Sequence, residues 1–159
     1  MIVITLGASE EESGARLTAA LAGASAGATL HLSAGVYRLA QPLLIDKPLT
    51  LTGEGMDRTR LLCAAEDCVA RFTGDGSFII ADLSFEHTGS LGARVVKVNG
   101  GEVDIQRCRF TGGVWDEASQ RGGSGLCIGG QTRGRVMQCE AAQNQLVGIL
   151  VTDQAHPML

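Results

Sequence analysis

The side chains best suited to binding a ligand are Trp115, Asp116 and Glu117, which lie in the longest interval between apolar segments, at positions 110–124. An indole ring can stack on a sugar ring, and carboxylates accept hydrogen bonds from sugar hydroxyls. Adjacent carboxylates cannot act as the facing acid and base of a glycosidase without a distant partner. The interval therefore predicts a binding loop. The alternative is that Trp115 packs against the flank of the fold.

Two basic side chains, Arg71 and Lys97, form a second candidate binding site. Each lies at the centre of a short alternating apolar segment, at 70–72 and 96–98. Asp75 follows the first segment at a glycine-containing corner. If the two segments stack, the basic side chains become neighbours on one face, with an acid nearby. The alternative is a solvated face that binds nothing.

These candidates are positioned by a repeat of apolar residues at relative positions 0, 2, 5 and 7. Its steps of 25 and 31 residues are typical of solenoids. Alternation of period two indicates strands, and the change of phase inside each copy predicts a bend between two short strands. The three copies are Phe78, Ile80, Leu83 and Phe85; Val103, Ile105, Cys108 and Phe110; and Gly134, Val136, Cys139 and Ala141.

A second set of apolar pairs advances in step with the first, and glycines follow most of these pairs where a sharp corner is needed. Each repeat therefore offers three short strands, which is one coil of a parallel β-helix. The pairs are Ala70 and Phe72, Val96 and Val98, Leu126 and Ile128, and Ile149 and Val151.

Outward positions of successive coils carry charges of alternating sign. Neighbouring parallel strands lie about 5 Å apart, so opposite charges at equivalent positions should form exposed ion pairs. The predicted pairs are Asp82 with Arg107, Asp104 with Arg135, and Arg109 with Glu140.

The N-terminal third predicts a cap for this solenoid. Positions 1–5 read as a strand, and Ser9 with Glu12 has the spacing of a capping box before a helix over about 10–23. Further strands are predicted at 29–32, 36–39, 43–45 and 49–51. A helix over the first coil would cover its apolar end and its strand edges.

The segment AGATLHLSAGVYRLAQPLLIDKPLTLTGEGMDRTRL, preceded by an amphipathic helix, resembles the N-terminal part of right-handed parallel β-helix proteins of the pectate-lyase-like superfamily. Ser33 stands where proline is usual in that pattern. The resemblance implies an all-β fold, a right-handed parallel β-helix of about four to five coils with an N-terminal capping α-helix, in one domain over 1–159. In lyases of this kind an Arg or Lys removes a proton beside a uronate carboxylate. Arg71 over Lys97 is the basic pair that matches this role.

The composition indicates which kinds of partner the protein can bind and in which compartment it is found. A net charge of −4 without a basic cluster argues against nucleic acid, and no apolar run is long enough to span a membrane. No signal peptide is visible, which predicts a cytoplasmic protein with free thiols. Among the five cysteines, Cys108 and Cys139 are expected to be small inward hydrophobes. The sequence predicts no metal site, no cofactor and no catalytic residue.

Two functions of different class remain open. The first is a non-catalytic recognition or scaffold module that binds a protein or a glycan, within the N-terminal part of a longer protein. The second is a carbohydrate-active enzyme, a lyase, epimerase or hydrolase, acting on an acidic polysaccharide. Because no cap is predicted after Val151, self-association through an open C-terminal coil is also expected.

Overall fold

The computed structural model covers residues 1–159 and shows a β-solenoid of stacked parallel coils with one helix, α1, at Glu10–Gly23. The strands in chain order are β1 (Ile2–Ile4), β2 (Ala28–Leu32), β3 (Gly35–Leu39), β4 (Leu43–Ile45), β5 (Leu49–Thr52), β6 (Thr59–Cys63), β7 (Ala70–Thr73), β8 (Ser77–Ala81), β9 (Ser84–His87), β10 (Val96–Asn99), β11 (Glu102–Gln106), β12 (Arg109–Thr111), β13 (Trp115–Asp116), β14 (Arg121–Gly122), β15 (Ser124–Gly129), β16 (Arg133–Met137), β17 (Glu140–Ala142), β18 (Val147–Val151) and β19 (His156–Met158).

Three parallel sheets form the walls of the solenoid. Sheet A has the order β1-β2-β5-β8-β11-β16-β19, sheet B the order β3-β6-β9-β12-β17, and sheet C the order β4-β7-β10-β15-β18. Each complete coil supplies one strand to each sheet, so β2-β3-β4 is the first coil and β16-β17-β18 the fifth. With the single strands β1 and β19 at the ends, the solenoid has about six turns. The predicted all-β parallel β-helix with an N-terminal helix is confirmed, with about six turns where four to five coils were predicted.

Both predicted sets of apolar positions stack in register. In sheet A, Phe78 pairs with Val103 and Ile80 with Ile105, while in sheet C Val96 pairs with Ala70. The rings of Phe85 and Phe110 stack in the interior with centroids 5.8 Å apart. The inward residues form one continuous core of 32 buried side chains. The strands β6, β13, β14 and β19 were not predicted, although β6 completes sheet B between β3 and β9 and β19 adds to sheet A.

The change of phase inside each repeat occurs at a bend, and the bend is made by one residue with a left-handed backbone conformation. Asp82, Arg107 and Gln138 occupy equivalent positions in three successive coils and have φ of 61°, 49° and 54°. This conformation costs an L-residue about 1–2 kcal/mol. Arg107 offsets its share through a two-pronged ion pair with Asp82, at 2.6 and 2.8 Å.

The predicted outward ion pairs are also present. Arg135 lies 2.8 Å from Asp104, and Arg109 lies 2.7 Å from Glu140. Arg109 also reaches Asp57, at 2.7 Å. All these partners are at least partly exposed, so each pair contributes at most about 1 kcal/mol.

The helix α1 covers the first coil as expected. The Ser9 hydroxyl accepts a hydrogen bond from the Glu12 amide at 3.1 Å, and the Glu12 carboxylate accepts one from the Ala8 amide at 2.9 Å. Leu17 and Leu21 are buried against the solenoid. The helix lies so close to β3 that a Cβ on Gly14 would stand 2.0 Å from the Arg38 carbonyl oxygen. The structure contains no helix of the length and apolarity needed to cross a membrane.

We expect the inward and outward faces of one strand to differ sharply in their contribution to stability. Ile79 and Ile80 are neighbours in β8, and their exposures are 40% and 0%. Ile80→Ala should lower the free energy of unfolding by about 2–5 kcal/mol because it leaves a cavity in the stack. Ile79→Ala, the matched control, should cost less than about 1 kcal/mol. Equal losses in urea unfolding would contradict the assigned register.

The left-handed bend makes a second prediction. Gln138 is exposed, so Gln138→Gly removes backbone strain without removing an ion pair and should stabilise the fold by about 1 kcal/mol. Arg107→Gly relieves the same strain but loses the Asp82 ion pair, so its gain should be smaller. Thermal unfolding measures both, and a larger gain for Arg107→Gly would count against this account.

The far end of the solenoid has no cap. No strand pairs with the outer edge of β17, β18 or β19, and Val151, Met158 and Leu159 are exposed. Self-association through this end stays a prediction. Light scattering should show a fraction of dimer that increases with protein concentration. Val151→Lys should reduce them, because a lysine opposes edge pairing, whereas Ile79→Lys on the side face should not. A strictly monomeric protein at high concentration would exclude it.

Candidate functional site

A groove of about 540 Å³ lies where sheet C meets the interval that interrupts the repeat. Its floor is the segment 92–97, one wall is the corner before β7, and the other wall is the hairpin of β13 and β14. The lining residues are Glu66, Asp67, Gly92, Ala93, Arg94, Lys97, Ser119, Arg121 and Gly122. Ala93 is the only apolar side chain among them. The groove is therefore polar and charged.

Backbone hydrogen bonds join the three segments that form the groove. The Ala93 amide donates to the Val114 carbonyl at 2.9 Å, and the Val114 amide donates back to Ala93 at 3.0 Å. On the other side, the Arg94 amide donates to the Asp67 carbonyl at 3.0 Å. The hairpin also comes so close to the floor that a Cβ on Gly92 would lie 2.7 Å from the Asp116 Cβ. The groove is thus a rigid part of the fold.

Sheet C stacks Arg71, Lys97 and Cys127 at equivalent outward positions of successive coils. Lys97 lines the groove and donates a hydrogen bond of 2.6 Å to Asp67. Arg71 lies 4.0 Å from the other oxygen of the same carboxylate. Asp67, which sequence reasoning missed, is therefore the acid that partners the basic pair. Asp75 lies at another corner, in a smaller groove with Glu102 and Arg133.

Charge pairing determines the ionisation of Asp67. Burial acts to raise its pKa, but the hydrogen bond from Lys97 and the charges of Lys97 and Arg71 outweigh burial and hold the pKa below its ordinary value. The Lys97 ammonium thus has a carboxylate partner within the protein.

Arg94 and Arg121 have a different environment from Lys97. Neither guanidinium lies within 4.0 Å of a carboxylate. Arg94 donates one weak hydrogen bond to the Cys127 sulfur, at 3.6 Å, and its buried Nε has no hydrogen-bond partner. A buried donor without a partner costs about 1–3 kcal/mol. The groove thus contains cationic donors that the protein itself does not satisfy.

The three residues predicted to bind in the interval make hydrogen bonds within the hairpin. The Trp115 indole N–H donates to the Glu117 carboxylate at 2.8 Å. The Asp116 carboxylate accepts hydrogen bonds from the Ser119 hydroxyl and from the amides of Ala118 and Ser119. The Ser119 hydroxyl is the main cause of the lowered pKa of Asp116. These side chains therefore position Ser119 and Arg121 at the groove.

The structure brings Lys97 and the hairpin together in one groove. The sequence had placed them in two separate candidate sites. It leaves Asp75 apart and adds Arg94 and Asp67. Arg94 precedes the pair Val96 and Val98 by two residues, and no pattern in the sequence shows that the hairpin would lie beside it. No three His, Cys, Asp or Glu side chains lie close enough together to hold a metal ion.

Comparison of the chain with models of protein families, with curated proteins and with solved structures finds no match. The groove therefore has to be interpreted from its own chemistry.

The ion pair between Asp67 and Lys97 gives a prediction for acid titration. Lys97→Met should raise the pKa of Asp67, because burial remains while the cation is lost; carboxyl-carbon NMR measures this. Since the folded-state pKa is lowered, Asp67 contributes stability that is present above the unfolded value of about 3.9 and is lost as pH falls through the folded value. Between the unfolded and the folded pKa of Asp67, the Lys97→Met variant should therefore lose less stability than the wild-type protein as the pH falls. Arg133→Met is the control, and an unchanged Asp67 in Lys97→Met would contradict the pairing.

Proposed function

We propose that this chain is a non-catalytic recognition module of the β-solenoid class that binds an acidic glycan in the groove between sheet C and the β13–β14 hairpin. The observation that carries the proposal is the pair of guanidinium groups, Arg94 and Arg121, which line the groove without a carboxylate partner. A ligand carboxylate would pair with the guanidinium charges of Arg94 and Arg121.

The character of the lining favours a glycan over a protein. Protein interfaces are anchored by buried apolar and aromatic side chains, and this groove contains none of that size. Its Ser119 hydroxyl, its acids Glu66 and Asp67, and its backbone groups suit the many hydroxyls of a sugar. An affiliation with the pectate-lyase-like superfamily, which the N-terminal sequence resembles, would agree with an acidic glycan and belongs to the proposal.

The ion pair of Lys97 argues against the alternative of a polysaccharide lyase. A lyase needs a basic group that is free to take a proton from the acidic carbon, whereas Lys97 is engaged with Asp67, to which it donates a hydrogen bond of 2.6 Å. Asp116 and Glu117 are occupied in the hairpin, so they do not form a facing pair of the glycosidase type. Binding without turnover is the function that this arrangement supports best.

Titration calorimetry with an oligogalacturonate tests the proposal. We expect binding that weakens with salt, and a loss of about 10–100-fold in affinity for Arg94→Ala, since a hydrogen bond to a charged group contributes about 1.5–3 kcal/mol. The matched control is Arg133→Ala, which removes an arginine from a different groove and should leave affinity unchanged.

Three results would contradict the proposal: no binding to acidic oligosaccharides, equal loss in both variants, or the ultraviolet absorbance of an unsaturated uronate product. The last would establish the lyase instead. Binding of an acidic peptide in preference to the glycan would assign the groove to a protein partner.

A further inference from the structure

Two cysteines lie directly above one another in the stack. Cys108 and Cys139 each follow the left-handed bend residue of their coil. The pairs on either side of them, Gln106 with Met137 and Arg109 with Glu140, are in register. The Glu140 amide donates to the Cys108 carbonyl at 2.9 Å. Neighbouring parallel strands are about 4.8 Å apart, within the Cα separation of roughly 4.4–6.8 Å that a disulfide spans.

No other pair of thiols has this relationship. Cys63 pairs in its sheet with Leu39 and His87, and Cys127 pairs with Lys97 and Leu150. Cys68 is buried beside Asp67. We propose that Cys108 and Cys139 form a disulfide bond when the chain meets a hydroperoxide, cross-linking the fourth and fifth coils.

The two thiols differ in the way such a reaction requires. Cys139 is half-buried on the open last coil, whereas Cys108 is fully buried in the coil beneath it. The interaction with the neighbouring Cys108 thiol lowers the pKa of Cys139 to about 7, and the Arg107 charge acts in the same direction. The same interaction, together with burial, raises the pKa of Cys108. The accessible sulfur is thus the one that ionises near neutral pH.

The reaction has two balanced steps. The Cys139 thiolate attacks one oxygen of the hydroperoxide, the O–O bond breaks, and the other oxygen leaves as hydroxide or an alcohol, giving a Cys139 sulfenic acid. The Cys108 thiol then attacks the Cys139 sulfur, an S–S bond forms, and the sulfenic oxygen leaves as water with the thiol proton. Overall, two thiols lose two electrons and the peroxide gains them.

The position of the bond gives it a consequence for the groove. The chain between Cys108 and Cys139 contains the whole β13–β14 hairpin, which carries Ser119 and Arg121. A bond between its ends closes this segment into a ring and limits the freedom of its unfolded state. The oxidised protein should therefore hold its last complete coil and the groove wall more firmly than the reduced protein.

Mass spectrometry of the full chain treated with hydrogen peroxide, alkylated and digested without reduction, tests the proposal. We expect one dominant intramolecular link between the Cys108 and Cys139 peptides, reversed by dithiothreitol, with a higher urea midpoint for the oxidised protein. Cys127→Ser should keep the link. In Cys108→Ser, Cys139 should accumulate a sulfenic acid that dimedone traps.

Three results would overturn the proposal. In the wild-type chain these are Cys139 that stays reduced, Cys139 that accumulates as sulfinic acid without a link, or a dominant link joining other cysteines or two chains. The wild-type measurement decides the question even if a serine variant folds poorly, and circular dichroism identifies such a variant.

Discussion

The structure depends on the stacking of each coil on the one beneath it. A coil of three short strands cannot bury its inward side chains or satisfy its backbone hydrogen bonds alone, so both are completed by its neighbours. Phe85 on Phe110 and Ile80 on Ile105 show how one register serves packing and hydrogen bonding together. The single left-handed residue at Asp82, Arg107 and Gln138 preserves that register through the bend.

The groove is a consequence of the same constraint. The extra residues of the fourth coil cannot enter the stack without shifting every later strand, so they leave it as the β13–β14 hairpin. The hairpin returns to the floor through Ala93 and Val114, and this return places Arg121 opposite Lys97 and Arg94. The regular coils supply rigidity, and the one irregular coil supplies the candidate binding surface.

The repeated parts of the molecule could be predicted from the sequence because each position recurs at the same place in the next coil. The strand pairs, the bend and the outward ion pairs of Asp104 and Arg109 follow from that periodicity, and the cap helix follows from the capping-box spacing of Ser9 and Glu12. The groove could not be predicted in this way. Asp67, Arg94 and the hairpin meet at irregular corners, which are brought together by backbone hydrogen bonds. The strand β6 was not predicted because its residues, which include Arg60 and Leu62, do not match an apolar pattern that recurs in the later coils.

Nearest-neighbour stacking also means that local stability should vary along the axis. The first coil is covered by α1, the middle coils have neighbours on both sides, and the fifth has only β19 beyond it. Amide hydrogen exchange resolved by strand tests this most directly. We expect the slowest exchange in β5, β8 and β11 and the fastest in β17, β18 and β19. Uniform protection along the axis, or the slowest exchange in the last coil, would contradict this account.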